Sequence, residues 1–194
     1  METIPRAGGI AWSFKEKPGS LVVVEMGVEK DQASRLCPLK VVYEITDPDN
    51  MVLLEKAASL ALTLKPMFFG DTKNQAALAL LRNFNGARIT QRLPTLGIQL
   101  SPHAEMPANF PAYQGIINKY FPRLIEFPED SIVRTALANV ELGKVDQIKE
   151  EPVVAAFAYA TVFLDTRQPI FVDHAPGGER FPTRAVTDDY DPFA

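Results

Sequence analysis

Three β-rich runs crowd into the first fifty residues, which commits the chain to a sheet before any helix is considered. The first run, Gly9 to Glu16, meets the second, Leu21 to Val28, across Lys17-Pro18-Gly19-Ser20. Proline presets φ in that linker and glycine supplies the positive φ of a type II turn, so the pair predicts a β-hairpin. Leu39 to Thr46 is rich in β-branched and aromatic residues and reads as a third strand, stopped by Asp47-Pro48-Asp49-Asn50.

Helical signals follow. Met51 to Lys65 is divided, with Leu53, Leu54, Ala57, Ala58 and Ala61 at helical spacing while Ser59 to Lys65 alternates like a strand. Asp71 or Thr72 can cap a helix from about Asn74 to Phe84, with Gly86 as its stop. Arg88 to Ala108 holds three prolines and reads as a long connection containing a short strand at Leu96 to Leu100. A second helix begins at Asn109, with Tyr113, Ile116, Ile117, Tyr120 and Phe121 at helical spacing, and stops or kinks at Pro122. A third starts near Pro128-Glu129-Asp130 and ends at Gly143. Pro152 to Asp165 places Phe157, Tyr159 and Phe163 on one parity and alanines on the other, which predicts a central strand. Thr166-Arg167-Gln168 would turn it into a last strand, Pro169 to Asp173.

These elements amount to one α+β domain over residues 1–180 and a C-terminal arm over 181–194. The longest apolar run, Val153 to Leu164, is 12 residues, well short of the roughly 20 that a membrane-spanning helix needs. Cys37 is the one cysteine, so no internal disulfide forms, and the amino terminus lacks the order of a secretory signal. A reducing, cytoplasmic setting is therefore expected. The net charge of -4 is unevenly placed, because the last seven residues hold three acids and no base. Residues 72–104 carry no carboxylate but do carry Lys73, Arg82, Arg88, Arg92 and His103, a local basic segment in a nearly neutral body.

Catalytic signatures are weak. No Gly-x-Ser-x-Gly elbow occurs, and of the two histidines His103 sits between prolines while His174 follows Asp173. Adjacent strand residues point to opposite faces, so Asp173-His174 is more simply a turn pair than an oriented imidazole. Cys37, two residues after Arg35, is more simply a packed thiol than a nucleophile. Neither Gly8-Gly9 nor Gly177-Gly178 fits a phosphate loop or a dinucleotide fingerprint. No catalytic residue, metal ligand or cofactor is assigned.

Binding residues are easier to nominate. In Arg82-Asn83-Phe84-Asn85-Gly86-Ala87-Arg88, with Arg92 beyond, guanidinium groups can pair with phosphates and amides with base or sugar edges. The same residues also suit an ordinary helix end with Phe84 in the core. Trp12 and Phe14 share a face of the first strand and Tyr43 lies on the third, so the three rings either form a stacking platform for unpaired bases or belong to the core.

The last residues, Asp188-Asp189-Tyr190-Asp191-Pro192-Phe193-Ala194, combine repelling acids with an apolar tip. This tail resembles the acidic tip of bacterial and phage single-stranded DNA-binding proteins, which runs through several aspartates into Pro-Phe. The resemblance implies that Asp188, Asp189, Tyr190, Asp191, Pro192 and Phe193 dock protein partners. Ala194 is a departure, since the bacterial tip ends on the phenylalanine carboxylate. An order of three strands, a helical region and two strands is compatible with the oligonucleotide-binding barrel. The expected fold is thus an antiparallel β-sheet or partly open OB-like barrel with inserted helices. The expected function is non-enzymatic single-stranded nucleic-acid binding in a phage or mobile element. The alternative is an oligomeric structural or assembly subunit of a virion, sheath or multiprotein complex, with both termini laid as arms on neighbouring copies. An enzyme stands third, motivated by Asp173-His174 and Cys37.

Overall fold

A computed structural model describes residues 4–13, 16–28, 31, 36–70, 75–100, 110–121, 123–140 and 150–167. Its strands are β1 (Arg6–Ala11), β2 (Gly19–Met26), β3 (Leu39–Asp47), β4 (Met67–Gly70), β5 (Ile98–Leu100) and β6 (Ile125–Glu126). Its helices are α1 (Asn50–Thr63), α2 (Gln75–Thr90), α3 (Phe110–Tyr120), α4 (Ile132–Asn139) and α5 (Pro152–Thr166). The strands form one open sheet in the order β5-β4-β1-β2-β3-β6.

The α+β class expected from the sequence holds, and the first two strands do pair antiparallel, but not through the expected turn: β1 ends at Ala11, and Gly19 and Ser20 already belong to β2, so Lys17-Pro18-Gly19-Ser20 is not a type II turn between them. β1 and β2 pair antiparallel from Arg6↔Glu25 to Ala11↔Ser20, and β2 continues antiparallel into β3. The antiparallel or barrel-like architecture does not hold. β4 joins β1 in parallel, β5 joins β4 in parallel, and β6 adds in parallel to the far edge at β3. Parallel neighbours need helical crossovers, and α1 and α2 supply them, so helices cover the sheet instead of interrupting a barrel.

The sequence of β2 explains the two-sided cover. Leu21 and Val23 face one core together with Ile10, Phe68, Leu53, Leu54, Ala57 and Phe84. Val22 and Val24 face the other, with Ala7, Val41, Phe69, Ile117, Leu137 and the length of α5. An unbroken Leu-Val-Val-Val run is what a strand buried on both faces requires, whereas a half-wet strand would alternate.

Pro152 to Asp165 is helical throughout and not the central strand its side-chain parity predicts. Four alanines between Ala155 and Ala160 favour a helix, proline fits its first turn, and the run is longer than an ordinary strand. Twelve of its 15 residues are buried, because α5 lies between the sheet and helices α3 and α4, and a helix apolar all round must be covered all round. At Gly9 the approach is closest: a Cβ there would overlap the carbonyl oxygen of Ala156, so glycine lets the helix backbone settle on β1.

Smaller revisions concern boundaries. Met51 to Lys65 is resolved as helix α1, capped by Asp49, whose side chain accepts from the Met51 amide at 2.8 Å. α2 runs past Gly86 to Thr90. α4 starts after Ser131, and β4 and β6 are additional strands. The expected strand at Pro169 to Asp173 and the arm over 181–194 lie outside the described residues.

Candidate functional site at the carboxyl edge of the sheet

From β1 the chain passes to β2 and β3 on one side of the sheet and later to β4 and β5 on the other. The boundary between β1 and β4 is therefore the point where strand order reverses. In open sheets of this kind the crevice outside the carboxyl ends of the parallel strands is where ligands bind. Here that edge comprises the end of β1 with Trp12 and Ser13, the end of β4, the amino terminus of α1 and the amino terminus of α5.

Side chains tie these pieces together. Asn50, at the start of α1, accepts from the Ser13 amide at 3.1 Å and donates to Ser13 Oγ at 3.0 Å. Lys17, in the β1–β2 turn, pairs with Glu151 at the start of α5, Nζ to Oε2 at 2.6 Å. Next to this pair opens a groove of about 540 Å³, bordered by Asp130, Ser131, Thr135, Asn139 and Glu150. Its lining residues Ser131 and Ile132 are tied to Glu44 of β3, whose carboxylate accepts from Ser131 Oγ at 2.9 Å, the Ile132 amide at 3.0 Å and the Val133 amide at 3.1 Å. Ser131 Oγ in turn accepts from the Arg134 amide at 3.1 Å. A strand carboxylate and a serine thus cap α4 jointly, where backbone donors and the helix dipole favour negative charge.

No sequence motif marks this arrangement. Asp47-Pro48-Asp49-Asn50 reads as a strand stop, and nothing in the sequence links Glu44 to Ser131 across 87 positions. The burial of Tyr43 pushes its phenol above the ordinary range, and the hydrogen bond from Lys40 to Glu126, at 2.7 Å, raises the lysine.

The sequence-nominated binding residues are not gathered at this edge. Trp12 is buried in the core shared with α1 and α2, and Tyr43 packs partly against the same core. Phe84 is likewise a core residue. Arg88 lies with its guanidinium 5.4 Å from the Phe84 ring centre and donates to the Pro94 carbonyl at 2.6 Å. Asn85 clamps the following loop through two bonds with the Leu96 backbone. Arg82, Asn83 and Arg92 are exposed, with Arg92 at a positive φ of 58° just past the end of α2. Phe14 and the tail residues Asp188 to Phe193 lie outside the described residues, as do Asp173 and His174. Cys37 is buried and forms no disulfide.

No protein-family model and no curated protein sequence matches the chain. Among solved structures, the fold is similar to the nuclease domain of the large terminase of bacteriophage SPP1, determined with bound Mn. The TM-score is 0.50 at 11% identity, over 82% of this chain and 86% of that one. That likeness overturns the expectation of a non-enzymatic, OB-like single-stranded DNA-binding protein, together with its assembly-subunit alternative. The architecture is one on which a nuclease is built.

The Mn of that neighbour calls for a test of the residues present. Divalent cations of this type are held by several oxygen ligands, chiefly carboxylates. β1 and β4 carry no Asp or Glu, and among the described residues no three His, Cys, Asp or Glu side chains are placed to hold a metal ion. The described residues do not fit Mn. Among them, no helix is long and apolar enough to cross a membrane.

Proposed function

We propose that this chain is a nuclease-class protein of RNase H-like fold that acts on nucleic acid in a phage or phage-derived setting. The observation that carries this reading is the likeness to the terminase nuclease domain over most of both chains. The reversal of strand order between β1 and β4 agrees with it, because ligands of open sheets bind at the carboxyl edge of such a reversal, the edge that here carries the Ser13–Asn50 and Lys17–Glu151 pairs. Nucleic acid would be gripped through its phosphates, and Arg82 and Arg92, exposed on the carboxylate-free stretch of α2 and its end, are assigned a phosphate contact away from that edge. Since no metal-holding set is present among the described residues, no hydrolytic step is assigned to them.

The test is incubation of the full chain with supercoiled plasmid and with linear duplex DNA in Mn2+ or Mg2+, with a chelator control. A parallel retention assay on the duplex runs from low to moderate salt. Chelator-sensitive nicking or cutting, with binding that weakens as salt rises, is expected. Intact DNA in both metals, together with no retention at low salt, would overturn the proposal.

A further inference from the structure

We infer that the seam between the centre of β1 and α5 is closed by backbone packing and holds no divalent cation, so that metal chemistry in this protein is excluded from the middle of its sheet. The inference rests on the nuclease-class reading only for the choice of Mn2+ as the probe.

Three observations meet at this seam. β1 contributes Ala7, Gly9 and Ala11 to the face it shares with α5, and at the closest approach Gly9 meets Ala156, so the side chains at this joint end at a methyl group or a hydrogen. None of these atoms can ligate a hard cation, which takes oxygen donors, mostly carboxylate. Distance is the second constraint. The helix backbone lies so near β1 that a single added carbon at Gly9 would overlap the Ala156 carbonyl, leaving no room for a cation with its ligands and waters. That carbonyl lies inside a helix, where it accepts along the helix axis and is not free to turn toward an ion.

The third observation is the one side-chain oxygen contributed by the neighbouring strand. Ser20, paired with Ala11 across the β1–β2 ladder, is fully buried, and its Oγ has no hydrogen-bond partner among the described residues. One neutral hydroxyl cannot replace a divalent ion's lost hydration shell or balance its charge. At the amino terminus of α5, Glu151 is already paired with Lys17 at the protein surface. The seam is thus a packing joint, with its apolar faces joined to the main core through the stacked rings of Phe69 and Phe163, 4.8 Å between centroids.

Paramagnetic line broadening tests this without any variant that might fail to fold. Mn2+ is titrated to equimolar into isotope-labelled full-length protein, with Mg2+ as the diamagnetic control, and amide intensities are followed residue by residue. Gly9, Ala11, Ala155 and Ala156 should never be the most strongly broadened amides relative to the Mg2+ series, because Mn2+ bound elsewhere attenuates them only through its distance. Selective loss of those four signals at substoichiometric Mn2+, reversed by chelator, would overturn the inference. The cleavage assay is read separately. Cutting with the strongest broadening away from the seam sustains both proposals, absence of cutting and DNA binding removes the nuclease-class reading alone, and broadening strongest at those four amides removes this inference alone.

Discussion

Replacing Glu44 by alanine takes one carboxylate away from three donors at once. Ser131 Oγ and the amides of Ile132 and Val133 all point at it within 3.1 Å, and the site is partly buried between β3 and α4. A hydrogen bond to a charged group contributes about 1.5–3 kcal/mol, and loss of a helix cap costs about 1 kcal/mol. Three full charged bonds would overstate the total, because water can reach part of the site and Ser131 still caps the Arg134 amide. A loss of about 2–4 kcal/mol is expected, a large part of the roughly 5–15 kcal/mol by which ordinary domains are stable. With a urea slope of about 2 kcal/mol per molar, the unfolding midpoint of Glu44→Ala should fall by about 1–2 M. Glu44→Gln keeps an acceptor without the charge and should fall between the two proteins. Native-state hydrogen exchange at Ile132 and Val133 should accelerate in the alanine variant while the amides of β1 and β2 change only with global stability. A midpoint within about 0.2 M of the parent, for which the same slope gives under about 0.5 kcal/mol, would show that the cap contributes nothing beyond what water replaces.

Two other substitutions probe different layers. Gly9→Ala forces a methyl onto the Ala156 carbonyl, and such overpacking costs about 1–3 kcal/mol, here toward the upper end because both sides of the contact are backbone. Calorimetry should show a fall in Tm of about 6–10 °C, and a change under about 2 °C would mean that α5 can lift from β1 without loss. Burial raises the Tyr43 phenol, so the unfolded chain ionises first and stability falls as pH climbs from about 10 toward the folded value. Tyr43→Phe should therefore lose less stability than the parent between about pH 9.5 and 11, and equal slopes in urea titrations at those pH values would contradict the burial argument.

How much of this was legible in the sequence varies with the kind of signal. The antiparallel pairing of β1 with β2 and the span of β3 were, since β-branched runs mark both, but the turn was not, because Pro18-Gly19 leads into β2 instead of closing the hairpin. The flanks of α2, α3 and α4 were legible to within a turn or so, although Gly86 did not stop α2, because a glycine on an exposed helix face weakens a helix without ending it. α5 was misread because its aromatic and small residues happen to alternate. Periodicity cannot separate a buried strand from a buried helix, and length and alanine content had to decide. β4 is only four residues and β6 only two, so neither carries a period of its own. Trp12 and Phe84 show the opposite limit: the residue type fits a binding surface, but only the packing of α1 and α2 shows that the rings are inside.

The antiparallel expectation failed for a reason that bears on function. Strand count and order along the chain are the same for a meander that closes into a barrel and for one that is extended by parallel strands on its opening edge. What distinguishes them is whether each face of β2 is covered, and Leu21 to Val24, apolar on both parities, already favoured cover on both sides. Two-sided cover implies helices between strands, helices imply parallel additions beside β1, and parallel additions create the strand-order reversal at which a crevice forms. The reversal of strand order thus follows from four consecutive apolar residues together with the later helices. The donor set at that reversal does not follow from the fold, because the alanines and glycine on β1 and α5 allow close packing and at the same positions leave no place for carboxylates. Fold and metal chemistry therefore have to be established separately in this protein, the first from coverage of the sheet and the second from oxygen atoms placed at its carboxyl edge.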